Sequence, residues 1–386
     1  MKLLLLGAGM MARGAAYDLS RQPDVEKVIV ADMELAKARE LKKKVDPGDK
    51  IEPVTFSATD ENRIRELMKG CSTVMGMTSY DHNYNYSRWA IESGCNFVDL
   101  GGNHDVVDKQ FTLSSQAEKA KVGIIPDCGI APGLVSILAG YAVTRLDEVE
   151  DIELRVGGLP VNPEPPLNYF LVFSSRGLVN EYIEDARILE NGQVKKVAGM
   201  SGLETLYFKP PFGKMEAFYT SGGTSTLTQT LKGKIKNLTY KTIRYPSHQH
   251  YVKLMMDLGL MQSEPIEVDG CKIPPRRILE KQFEKHLKGD GKDVILLRAT
   301  ARGVKDGLKT TLVQEIIDYH NPDQGLTAMM RMTAFPASIL TLMLARNQIK
   351  EKGVLHQELS VPFDDFIKEL RKRKVDLVIS KTQIIE

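Results

Sequence analysis

Met1 to Gly14, MKLLLLGAGMMARG, is the stretch on which the fold turns. Leu3 to Leu6 form a short aliphatic strand that runs straight into Gly7-Ala8-Gly9-Met10-Met11-Ala12, the spacing G-x-G-x-x-A at a strand-to-helix junction. Each small residue has a physical purpose. Gly7 permits the tight turn, Gly9 lets the backbone approach a pyrophosphate without a Cβ in the way, and Ala12 lets the helix pack closely on the strand. The phosphates would rest on the helix N-terminus, at the N–H groups of Met10 and Met11, where the macrodipole favours negative charge.

Working outward, a candidate helix Met10 to Arg21 ends at Gln22-Pro23-Asp24, and a second apolar run, Lys27 to Ala31, closes on Asp32. An acidic residue at the end of the second strand is placed to accept hydrogen bonds from ribose hydroxyls. Asp32 would repel a 2′-phosphate and Met33 offers it no donor, so NAD is expected over NADP, with Lys37 and Arg39 as the opposing signal. Strands and helices then alternate. A charged helix to Val45 leads through a turn at Asp46-Pro47-Gly48 to a strand near Ile51 to Phe56, followed by a helix from Asp60 to Lys69. Ser72 to Met77 is a fourth strand, and Thr78, Ser79 and Tyr80 stand at its C-terminal end, where a doubly wound sheet places groups beside the nucleotide. Asn83 to Ser93 is helical, Asn96 to Asp99 a strand, Leu100 to His104 a loop, Phe111 to Lys121 a helix, and Val122 to Pro126 a strand. The loop Asp127 to Gly133 follows.

From about residue 150 the pattern changes to period-two alternation, as in Val149 to Val156, Thr239 to Tyr245 and Val294 to Ala301, which argues for a largely antiparallel sheet. Ala328 to Arg346 returns to helical spacing with a methionine stripe suited to core packing. The expected fold is therefore α/β, a Rossmann doubly wound parallel sheet plus an α+β catalytic domain. The boundaries are 1–132 for the nucleotide domain, 133–325 for the substrate domain, and 326–386 for a helical segment packing back onto the first.

Composition narrows the function. The chain has 386 residues, 42% of them apolar and 26% charged, an ordinary globular balance with room for two domains. Fifty-two basic against 50 acidic residues leave no electrostatic footprint for nucleic acid, and Arg371 to Lys374 is expected to be a solvated helix face. No run approaches the roughly 18 uninterrupted apolar residues of a spanning helix, and the N-terminal leucines are too short and glycine-broken for a secretory signal. A cytoplasmic protein with no membrane partner is expected. Cys71, Cys95, Cys128 and Cys271 lack metal or disulfide spacing, and His248-x-His250 lacks a third ligand, so no metal is expected.

Several longer stretches resemble the saccharopine dehydrogenase family in its reductase-like branch, most like the lysine 6-dehydrogenase group: GAGMMA with Asp32, FVDLGG, PDCGIAPGL, FSSRGLVNEY, TIRYPSHQHYVKLMMDLGL, TAMMRMTAFPASI and KGVLHQE. Ser247 departs from the glycine that members often carry, and Ser57, just after the third strand, from a common acidic residue; Ser57 is retained as a cofactor contact. The resemblance implies hydride transfer between nicotinamide and a carbon bearing nitrogen: oxidation of the ε-amine carbon of L-lysine, then imine hydrolysis, release of ammonia and cyclisation of the semialdehyde. It also implies a homo-oligomer.

Such chemistry needs a proton acceptor for the amine, a cation for the substrate carboxylate and an acceptor for its ammonium. Asp127, at the strand-end crevice, is the first choice for binding or deprotonating the amine, with loop bracing as its alternative role; Asp99 is expected to brace the Gly101-Gly102 loop. His248 is a candidate proton shuttle, with a partly buried structural histidine as its alternative role, and Tyr80 and His104 are further candidates. Arg176 and Arg244 are expected to bind carboxylate, with a surface or inter-strand partner as the alternative for each, and Thr224 and Ser225, in the run Ser221 to Ser225, to donate to substrate oxygens or else to form a polar turn. Two other readings are a saccharopine-reductase-like or carboxynorspermidine-synthase-like condensation, which needs a second carboxylate site, and a catalytically silent NAD-binding protein.

Overall fold

The computed structural model describes residues 1–46 and 48–384, so Pro47 of the expected turn lies outside the described residues. The chain divides into two units. The first comprises Met1–Thr144 and Met330–Leu377; the second comprises Arg145–Met329 and the residues from Val378.

Six strands build the first unit: β1 Lys2–Leu6, β2 Lys27–Asp32, β3 Ile51–Thr55, β4 Thr73–Gly76, β5 Asn96–Asp99 and β6 Gly123–Ile125. They lie in the order β3-β2-β1-β4-β5-β6, with Gly353–Val354 added beside β6, and every pairing is parallel. This is the doubly wound order, whose ligand crevice opens where the winding reverses between β1 and β4. Leu3 to Leu6 are wholly buried because helices cover both faces of the sheet.

The turn after β1 forms as its glycines require. Gly7 adopts φ +117°, and a Cβ there would lie 2.8 Å from the Met77 carbonyl oxygen. Its N–H donates to the Ala31 carbonyl at 2.7 Å. The helix that follows, α1 Met10–Ser20, meets the helix Ala328–Ala345 at Gly14, where a Cβ would lie 2.7 Å from the Met330 carbonyl oxygen and 2.9 Å from the Ala334 Cβ. The Thr73 hydroxyl donates to the Thr341 carbonyl at 3.3 Å. Although Ala328–Ala345 is long and apolar enough to cross a bilayer, 89% of it is buried in the protein.

Four expectations need correcting. The first unit extends through Val135–Arg145 to Thr144 instead of stopping at residue 132, because Gly140 lets that helix close on the Glu358 backbone, 2.5 Å from the site of a missing Cβ. The last strand, Leu377–Gln383, does not stay with the first unit but pairs with Leu308–Tyr319 in the second. A helix begins at His104, well before Phe111, because Asn103 caps it by accepting the N–H groups of Asp105 and Val106. Arg373, expected on a solvated face, is buried against Asp18 at 2.8 Å and Glu369 at 2.8 Å.

The second unit carries a nine-stranded sheet whose main path runs Glu204–Phe208, Gly213–Phe218, Asn237–Arg244, Glu148–Pro160, Asp293–Lys305, Leu308–Tyr319 and Leu377–Gln383. The hairpin of Ala186–Glu190 and Gln193–Val197 joins through Leu238 and Leu189. The sheet is mixed. Asn237–Arg244 runs parallel to Glu148–Pro160, whereas the neighbouring pairs from Glu204–Phe208 to Asn237–Arg244 and from Glu148–Pro160 to Leu308–Tyr319 are antiparallel. Gly14→Val should lower the unfolding free energy by about 1–3 kcal/mol, the cost of forcing a side chain into a filled interface; urea denaturation of the variant against wild type measures it.

Candidate active site

The residues expected to act fall in both units. In the first unit the nucleotide turn is ready for an anion. Gly9 is the N-cap of α1, no side chain caps the first turn, and a Cβ at Gly9 would meet nothing within 4 Å. That open cradle, with the first-turn N–H groups of Met10 and Met11 above it, fits a diphosphate. Asp32 accepts from the Ala8 N–H at 2.8 Å through one oxygen and from the Glu34 N–H at 2.9 Å through the other, so the acid of β2 also fixes the glycine turn. Lys37 is held by Glu34 at 2.6 Å. Thr78 touches the turn, its methyl 3.3 Å from the Cβ position of Gly7. Ser79 donates to Asp81 at 2.7 Å, and Ser57, exposed after β3, lies 3.2 Å from the Thr59 hydroxyl.

Asp127 has a different place from the one expected of a base. It is 2% exposed and takes φ +62°, and its carboxylate fills the space where a side chain at Gly101 would begin, 1.4 Å from that Cβ position. It accepts the Gly102 N–H at 3.2 Å. Asp99 lies beneath it, accepting from Gly101 N–H at 2.7 Å, Asp127 N–H at 3.2 Å and the Gln110 amide at 2.7 Å. Burial pushes the Asp99 pKa up to about 6 in spite of those donors. The two carboxylates act in series as a brace, which is the alternative role the sequence allowed for Asp127. The Tyr80 ring reaches within 3.4 Å of the Gly102 Cβ position, which brings it to the same loop.

The second unit holds a buried polar relay. Arg244, at the end of its strand, is 3% exposed; its Nε donates to the Tyr182 hydroxyl at 3.1 Å and Nη1 to the Ile243 carbonyl at 2.9 Å. The guanidinium also lies 4.8 Å above the Tyr169 ring. Tyr182 Oη is 3.0 Å from His248 Nε2, and His248 Nδ1 is 3.0 Å from the Leu167 carbonyl. Arginine only donates, so the tyrosine proton points to Nε2, and the imidazole proton sits on Nδ1 facing Leu167. The imidazole is therefore neutral: burial and the Arg244 charge push its pKa down to about 3, against the pull of the Leu167 carbonyl. His248 positions Tyr182, which positions Arg244. With both ring nitrogens engaged and the imidazole held neutral, the geometry fits the structural role for His248 better than a proton shuttle. Burial alone works against the charge of Arg244, but the facing Tyr182, Tyr169 and Glu181 outweigh it and raise its pKa.

The other expected substrate residues lie elsewhere. Arg176 is exposed on the helix Ser175–Ile183, about 120° around the axis from Tyr182, so it does not join the relay. Thr224 is 3% exposed and its hydroxyl is spent on the Arg187 carbonyl at 3.1 Å. Sequence reasoning missed Tyr169, Tyr182 and Glu181. The signal for the last was a carboxylate beside the buried face formed by Leu178, Val179 and Tyr182. Ser247 has φ +74°, a conformation that glycine adopts at less cost.

His248→Asn tests the neutral imidazole. A group whose pKa falls from 6.5 unfolded to about 3 folded contributes stability that is complete above pH 6.5 and is lost on acidification toward 3. Wild type should therefore lose about 1.4 kcal/mol per pH unit relative to the variant across that window, measured as the difference between their urea unfolding free energies at each pH.

Comparison with known proteins agrees with this architecture. Residues 3–125 match the saccharopine dehydrogenase NADP binding domain, and residues 129–375 match the saccharopine dehydrogenase C-terminal domain. A saccharopine dehydrogenase [NADP(+), L-glutamate-forming] of Saccharomyces cerevisiae is 25% identical over 279 residues, 69% of this chain and 60% of that protein. The chain thus spans about 60% of that relative's length. A carboxynorspermidine synthase of Vibrio cholerae is 22% identical over 96% of this chain and 94% of its own. The solved apo saccharopine dehydrogenase of S. cerevisiae superposes with a TM-score of 0.81 at 20% identity over 100% of both chains, which shows a common fold. With both domain models matched, in the order and over the residues that build the nucleotide turn and the buried relay, the chain belongs to the saccharopine dehydrogenase family.

Proposed function

We propose that this protein is an NAD-dependent L-lysine 6-dehydrogenase. One observation carries the reading: Arg244 is a buried guanidinium whose hydrogen bonds all go to neutral oxygens among the described residues. A cation kept from water without a counterion is costly unless one arrives with the ligand. The second unit's other buried arginine, Arg155, is already bound to Glu204. With Arg176 exposed, one carboxylate site is evident in this unit, which suits a substrate with one carboxylate.

The proposed reaction takes the ε-ammonium form of lysine, NAD+ and water to the 6-semialdehyde, NADH, ammonium and one proton, after which the semialdehyde cyclises to piperideine-6-carboxylate. The nicotinamide nucleotide, when bound, supplies the hydride acceptor. Gly7, Gly9, Met10, Met11, Asp32, Ser57, Thr78 and Ser79 would hold it. Arg244 holds the substrate carboxylate, and Tyr182 and His248 keep the guanidinium oriented. Asp99 and Asp127 fix the Gly101-Gly102 loop, to which Tyr80 also reaches. NAD is favoured because Asp32 and Glu34 place two carboxylates at the ribose end of β2 and Lys37 is paired to Glu34.

A second reading, reductive condensation of an amine with an aldehyde, is favoured by the full-length likeness to the carboxynorspermidine synthase. Purified protein with L-lysine should form NADH faster from NAD than NADPH from NADP. Turnover with saccharopine alone, or NADPH consumption only with an amine and aldehyde together, would reject the first reading; nucleotide binding without turnover of any amine would mark a silent protein. Asp32→Ala should raise the KM for NAD at least tenfold, the equivalent of one lost charge-assisted hydrogen bond of about 1.5–3 kcal/mol. We also infer a cytoplasmic homo-oligomer, supported by the exposed stripe of Tyr251, Leu254 and Leu258 at helical spacing. Sedimentation at micromolar concentration should show more than one chain.

A further inference from the structure

We propose that two copies of this chain exchange arms: the β-hairpin of Ile266–Val268 and Cys271–Ile273 of each copy docks its apolar face in a basic groove between the helices Ser175–Ile183 and Pro275–His286 of the other. This deepens the homo-oligomer reading and rests on it. The arm is built by its own sequence. Asp269 and Gly270 form the two-residue loop with φ +49° and +77°, left-handed at both positions, which matches the twist of the strands they join. Ile266 pairs with Ile273, Val268 with Cys271, and Glu267 with Lys272 between them. Successive side chains alternate, so one face carries the four apolar residues and the other Glu267 and Lys272. The Arg276 N–H closes the stem on the Gln262 carbonyl at 3.1 Å, and Pro274-Pro275 stiffen the exit. Every residue from Gln262 to Lys272 is exposed, Ile266 by 49% and Val268 by 45%. A lone two-stranded hairpin is marginal in water, so an arm of this kind is stabilised by whatever covers its apolar face.

Charge decides what that cover is. The arm carries Glu264, Glu267 and Asp269 against Lys272, three acids to one base, and none of the four is in an ion pair among the described residues. The groove is a cavity of about 540 Å³ lined in part by Ser175, Arg176, Arg277 and Ile278. Its two helices are joined by Ser175 to Glu284 at 2.9 Å and by Arg276 to Asn180 at 2.8 Å. The acids on its wall are already occupied, Glu280 by Arg276 at 2.8 Å and Glu284 by Lys281 at 2.7 Å. Arg176 and Arg277 are exposed and have no carboxylate partner among the described residues, and Ile278 beside them is 47% exposed. An arm with two excess negative charges and an apolar face thus complements a groove with two unpaired cations and an apolar side chain. An anionic lipid surface or a nucleic acid would suit the groove but repel the arm, whereas a second copy brings the complement of each. The arm runs directly into the helix that carries Arg277 and Ile278, so both halves lie on one face, as a two-fold contact requires. The exposed stripe of Tyr251, Leu254 and Leu258 ends just before the arm begins.

Sedimentation equilibrium of the full chain at low salt, with charge reversal on either side of the contact, tests the exchange. Glu264→Lys with Asp269→Lys should weaken association at least tenfold, and so should Arg176→Glu with Arg277→Glu. All four substitutions together should restore it to within threefold of wild type, a rescue that misfolding would not produce. Cys271 gives a second readout, because it is exposed on the arm while Cys71, Cys95 and Cys128 are buried. Its rate of reaction with dithionitrobenzoate should fall at least tenfold from dilute to associated protein, and Cys271→Ser should remove that signal. Association that ignores both charge reversals, a fourfold variant no tighter than either pair, or a Cys271 equally reactive in both states overturns the exchange and leaves the homo-oligomer reading standing. A wild type that stays monomeric at micromolar concentration overturns both.

Discussion

A guanidinium never gives up its proton, so once it is cut off from water its surroundings must satisfy every donor it presents. Arg244 imposes that constraint on the second unit. Its Nε fixes the direction of the Tyr182 hydroxyl, the hydroxyl fixes the tautomer of His248, and the imidazole fixes its ring against Leu167. Four residues drawn from two helices, a strand and a loop are thereby locked by one charge. The guanidinium also lies over the rings of Tyr169 and Tyr182, so aromatic faces complete its surroundings.

The first unit solves its own version of the problem with acids. Asp99 is buried completely and compensated by three donors, and the residue it supports, Asp127, occupies the volume that a glycine leaves open. The crevice loop is shaped from below by these two groups, while Asp32 shapes the nucleotide turn from the side through the Ala8 N–H. Carboxylates at strand ends here fix backbone first. Asp32 is partly exposed and so stays open to solvent, whereas Asp99 is fully enclosed.

What could be read from sequence follows the range of the interactions involved. The order of strands and helices in the first 130 residues, the Gly7 turn and the acid closing β2 are local, set by periodicity and by residues a few positions apart. The role of Asp127 was not, because it depends on a left-handed backbone and on the missing side chain of Gly101, twenty-six positions earlier. His248 looked like a titrating group since nothing in its neighbours along the chain reports its burial. Glu181 stayed hidden in a segment where Arg176 drew attention, though the two point to different sides of one helix. The unit boundaries were misplaced for the same reason: Val135–Arg145 and Leu377–Gln383 take their partners from more than fifty residues away.

The first unit is discontinuous, and that has a consequence for how it is made. The partner of α1 at Gly14 and the strand beside β6 belong to residues 328–354, while the chain leaves the unit at Thr144 and returns only at Met330. On a translating ribosome the nucleotide fold therefore waits roughly 10 to 40 s, at the usual rates of synthesis, with an apolar helix face and an open parallel edge awaiting cover. Until residue 354 has emerged, that uncovered apolar surface is the part of the nascent chain most open to aggregation.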